Sequence, residues 1–120
     1  MGQAFRDLEV WQRGMDLTTA VYRLTEAFPR HEIYGLSSQM RRCAVSIPSN
    51  IAEGSARGTK PDFARFISIA RGSAAELETQ LILALRLGYV NEADHNDVEA
   101  LCFRVSRMLG RLLESMRNSA

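Results

Sequence analysis

The segment Gly54-Ser55-Ala56-Arg57-Gly58-Thr59-Lys60 has the ingredients of a phosphate-binding loop: glycines that let backbone approach an anion, a hydroxyl and an amine. Their order is wrong for that chemistry. The glycines are one residue too close, Thr59 precedes Lys60, and no strand leads into the segment. A weaker capacity remains: Arg57 and Lys60 at a helix start could hold an anion against unpaired backbone donors, or be merely solvated. His95 and Glu99 are one turn apart, as two metal ligands would be, and His31 lies in a loop; two ligands do not make a site. Asn50, Glu53, Arg71 and Glu76 could form a polar cluster, but carboxylate catalysis needs an acid, base or metal to act with, and none is supplied. Cys43 and Cys102 sit on apolar lines and read as buried thiols rather than nucleophiles or a disulfide. No cofactor or metal is expected.

Arg104, Arg107 and Arg111 recur at steps of three and four, with Arg117 further along, so one face of a C-terminal helix is basic. Such a face is either a solvated complement to the helix C-terminus or a stripe that neutralises phosphates. Whole-molecule charge does not decide between them. Fifteen Lys and Arg against fourteen Asp and Glu leave a net +1, so any nucleic-acid binding has to be local. All the basic residues but Lys60 are Arg.

The elements that position these residues are helical throughout. The 120 residues make one domain with 46% apolar content, no apolar run near the roughly 20 residues of a membrane span, and no basic-then-apolar leader, so a cytoplasmic protein is expected. Four helices are predicted, at about 7–28, 37–56, 60–87 and 92–116. In the first, Val10, Leu17, Val21, Leu24 and Phe28 form one apolar line, with Leu8, Trp11, Met15 and Tyr22 beside it and Asp7 as cap. The second turns Leu36, Met40, Cys43, Ile47 and Ile51 inward. Thr59 caps the third, which stops at Gly88; Asn91 caps the fourth, whose first turns are acidic. Short connections make the four an antiparallel up-down-up-down bundle.

Two features depart from a regular amphipathic helix pattern. Pro48 lies inside the second helix, where it removes a donor and frees the carbonyl of Ala44; neighbouring hydroxyls or the Asn50 amide could satisfy that group. Leu81, Ile82, Leu83, Leu85 and Leu87 point almost all round the third helix, which implies a partner surface.

Val10-Trp11-Gln12, Tyr34-Gly35-Leu36-Ser37-Ser38-Gln39, the stretch from Ser46 through Pro48, Ser49, Asn50 and Glu53 to Gly54, and Ala70 to Leu81 with Arg71, Glu76 and Glu78 together resemble one family. It comprises the four-helix-bundle proteins encoded within intervening sequences of bacterial 23S ribosomal RNA genes, and the resemblance runs from about Phe5 to Leu113. It implies a ring-shaped homopentamer around a central channel. It also implies kinship with the accessory variability proteins of diversity-generating retroelements, which associate with a reverse transcriptase, bind nucleic acid and are strongly basic. The expected function is therefore a non-enzymatic oligomeric scaffold or adaptor for RNA, DNA or a protein that processes them. The alternative is an enzyme or small-molecule binder built on the Asn50, Glu53, Arg71 and Glu76 cluster, which would then share one enclosed cavity.

Overall fold

Apolar residues at three- and four-residue steps wind the chain into five helices, with no strand among the residues the computed structural model describes, 4–118. They are α1 (Ala4–Asp7), α2 (Glu9–Thr25), α3 (Leu36–Arg57), α4 (Lys60–Arg86) and α5 (Glu92–Asn118). The first expected helix is thus two. Asp7 ends α1 instead of capping a longer helix, and Leu8, extended at φ −73° and ψ 123°, precedes α2 without a side-chain cap. Gln12 Nε2 spans the break by donating to Arg6 O at 2.9 Å. The same helix also stops at Thr25 rather than Phe28, because Pro29 disfavours helical backbone just before it. Phe28 remains buried, its ring 5.4 Å from that of Tyr89.

The other ends follow their local chemistry. Thr59 Oγ1 accepts from Asp62 N at 3.3 Å and Asn91 Oδ1 from Asp94 N at 2.8 Å, so both expected caps are present. After α4, Gly88 takes φ 76°, and Tyr89 N and Gly88 N return to the carbonyls of Ala84 and Leu85. The start of α3 uses a cap from outside the helix. Glu32, in the turn Arg30–Glu32, accepts from Leu36 N at 3.0 Å through one carboxylate oxygen and from the Tyr89 hydroxyl at 2.8 Å through the other. Those two bonds lower the Glu32 pKa, and the same carboxylate raises that of Tyr89.

α2 packs on α3, α3 on α4, α4 on α5 and α5 back on α2, while the diagonal pairs stay apart. Four helices so connected form an antiparallel bundle, 46 × 22 × 19 Å. Leu17, Val21, Met40, Ile47, Ile51, Ile67, Leu77, Leu81, Val105 and Leu109 are fully enclosed at its centre. α3 and α4 approach most tightly at Gly54, where an added Cβ would fall 2.7 Å from Phe66 Cβ. No helix among the described residues is long and apolar enough to cross a membrane.

Candidate functional site

Pro48 is buried inside α3 with its ring toward Gly14 of α2, where an added Cβ would still lie at ordinary contact distance, 3.6 Å from the ring. The freed Ala44 carbonyl is satisfied from the neighbouring helix. Thr18 Oγ1 lies 3.1 Å from Ala44 O and 2.8 Å from Gly14 O, so its proton is shared between two carbonyls. None of the hydroxyls or amides of α3 itself takes this role. Ser46 Oγ turns to Cys43 O and to Ser73 Oγ of α4, each at 2.7 Å, Asn50 Nδ2 donates to Ser46 O at 2.7 Å, and Ser49 is exposed. The Ser46 to Gly54 stretch therefore holds α3 to both neighbours, through Pro48 on one side and Ser46 and Gly54 on the other. Thr18 is not among the residues singled out by sequence pattern, although a hydroxyl beside the Leu17 and Val21 line marks it.

The polar cluster does not share a cavity. Glu53 pairs with Arg57 on the surface at 3.0 Å. Glu76 accepts from Gln80 Nε2 at 3.4 Å and lines an open groove between α3 and α4, of about 320 Å³, with Gln39, Arg42, Cys43 and Ser46. Arg71 and Glu78 face α5 instead: the Arg71 guanidinium lies over Gly110, and the charge of Glu78 reaches Cys102. Both cysteines are free and buried. Cys43 donates to Ser73 O and Cys102 to Ala74 O, and burial, aided by Glu76 and Glu78 respectively, pushes each thiol up to about 12.

The segment at Gly54 to Lys60 is a helix end, a left-handed Gly58 and a helix start. Arg57 turns back to Glu53 and stacks 5.0 Å from the Phe66 ring centre. His95 is buried, with Nε2 lacking a hydrogen-bond partner and 3.8 Å from Glu99 Oε2. Among the described residues no three metal-ligating side chains converge.

Arg104, Arg107 and Arg111 are all exposed and share one outward face of α5; none makes an ion pair among the described residues. Arg117, six positions after Arg111, falls about 120° around the axis and off this face. Three guanidiniums so placed line a shallow hollow of about 280 Å³ with Ala100, Phe103 and Met108. Phe103 itself is 56% exposed, and Arg107 lies 5.8 Å from its ring centre. Its position was legible, since the buried line Val98, Cys102, Val105 and Leu109 skips it.

Apolar side chains also remain outside the core. Ile69 and Leu83 fall with Glu76 on one line of α4 that Leu87 continues just past its end, and Leu83 and Leu87 keep 46% and 54% of their surface. A second line runs over the outside of α2 and α3 with Met15, Tyr22 and Val45. Leu81 alone of the α4 leucines at this end is fully enclosed.

A solved structure of a protein with unknown function from the S23 ribosomal protein family of Bacteroides thetaiotaomicron superposes with a TM-score of 0.78 at 20% identity, over 87% of this chain and 97% of that one. That likeness speaks for the fold. No curated protein matches this chain. Residues 6–111, nearly all of the bundle and every motif through Arg111, match a single family description, so the chain belongs to the 23S rRNA-intervening sequence protein family.

Proposed function

We propose that this protein is a non-enzymatic, homo-oligomeric scaffold that presents the Arg104, Arg107 and Arg111 face of α5 to nucleic acid, as an adaptor for RNA or DNA or for a protein that processes them, such as a reverse transcriptase. The observation that carries it is the surplus of apolar surface: Leu83 and Leu87 on α4, and Met15, Tyr22 and Val45 on α2 and α3, stand in water in the single subunit. Two separate apolar lines suit a head-to-tail contact, in which one surface of each copy meets a different surface of the next and the chain of contacts closes into a ring. Five copies is the number the family resemblance implies. Symmetry then repeats the α5 face around the assembly, so three guanidiniums without an ion pair among the described residues become a belt of positive charge on a chain whose net charge is only +1.

Light scattering or native mass measurement at micromolar concentration tests the assembly; a monomer overturns it. Nucleic-acid binding is tested separately by titrating labelled RNA and DNA across a salt series. Affinity falls steeply with salt, and the triple substitution Arg104→Ala, Arg107→Ala and Arg111→Ala flattens the slope of log K against log salt by about two for a single strand. Absence of binding at low salt leaves only the protein-adaptor role.

A further inference from the structure

We propose that Phe103 is a stacking platform for an unpaired base and that the nucleic acid taken by the α5 face is single-stranded. This rests on the nucleic-acid reading above and goes further in naming the class of strand and the residue that selects it. Phe103 leaves most of its ring in solvent, outside the apolar line by which α5 joins the core. An isolated exposed phenylalanine needs no explanation. This one lines the same hollow as Arg104, Arg107 and Arg111, and Arg107 is its only ring or cation partner among the described residues. Ala100, one turn back, and the thioether Met108 complete the hollow without contributing a charge.

Cations that follow a backbone, interleaved with an aromatic face that accepts any base, are the two components of single-strand recognition. A duplex offers this surface phosphates and groove edges but no open base face, because its bases are already stacked on one another. The arginines therefore serve either kind of nucleic acid, whereas Phe103 contributes only when a base is free to leave the stack.

The test uses the full chain and fluorescence anisotropy with labelled oligo(rU) and oligo(dT), against a blunt duplex of the same length, at low salt. Phe103→Ala is expected to weaken single-strand binding about five- to a hundredfold, the loss of one stacked base. Phe103→Leu behaves like Ala, Phe103→Tyr restores binding, and duplex affinity and the salt slope stay unchanged in all three. Because the side chain is exposed, helical circular dichroism should be retained, and Phe103→Tyr provides a conservative control. Equal losses on single strand and duplex, or no loss on either, overturn the inference while leaving nucleic-acid binding standing. Absence of binding to any of the three probes overturns both. Displacement of oligo(rU) by polyglutamate at equal charge overturns it in favour of an acidic polypeptide.

Discussion

At the scale of single residues, the most consequential contact is Thr18 to the carbonyl that Pro48 leaves unbonded. Removing the hydroxyl with Thr18→Val should destabilise the protein by about 1 kcal/mol, since the carbonyl oxygen of buried Ala44 then has no donor. In a Pro48→Ala background the residue at 48 regains an N–H that can reach Ala44 O, so the same Thr18 substitution should cost much less. Denaturant unfolding of the four proteins in this double-mutant cycle measures the coupling; additive effects would mean Thr18 does not compensate for the proline. Glu32 allows a second test. Its folded pKa lies below the ordinary 4.5, so the stability it contributes is present above that value and is lost as pH falls through the lower folded one. Thermal melts of wild type and Glu32→Gln should differ at neutral pH and draw together as pH falls from 4.5 through the lower folded value; a constant difference would assign the effect to something other than the carboxylate.

At the scale of elements, the α3 and α4 pair is set by the absence of a side chain at Gly54. Gly54→Ala improves helix propensity by roughly 1 kcal/mol, yet places a methyl group against Phe66 Cβ, an atom that cannot swing away without moving α4. Overpacking should win, with a net loss of about 1–3 kcal/mol by denaturant unfolding. The contrasting site is Gly110, where the atoms an added Cβ would meet belong to the far end of the exposed Arg71 side chain. Gly110→Ala should therefore be neutral or stabilising by up to about 1 kcal/mol. If both substitutions behave alike, helix propensity and not interhelical spacing governs these positions.

At the scale of the whole molecule, substitutions in the two exposed apolar lines test the proposed head-to-tail assembly against a two-fold dimer. Leu83→Glu with Leu87→Glu should disrupt one surface, and Met15→Glu with Tyr22→Glu the other, each leaving a helical monomer by light scattering and circular dichroism. Mixing the two variants should form a dimer and stop there, because each keeps the surface that the other has lost. A two-fold contact using a single line predicts that one of the pairs of substitutions has no effect on mass.

The last three helices, the order of the elements, three of the terminating residues and the inward lines are legible in the sequence, because helical period, capping chemistry and left-handed glycine are local properties of a few adjacent residues; the break at Leu8 and the early end at Thr25 are not. The surplus leucines of α4 were readable for the same reason. Which residue answers Pro48, which of Glu76, Glu78 and Arg71 turn to α3 and which to α5, and the use of Glu32 as a cap required the folded molecule. Each depends on atoms from different helices meeting, and their meeting is set by the azimuth at which every helix settles into the shared core.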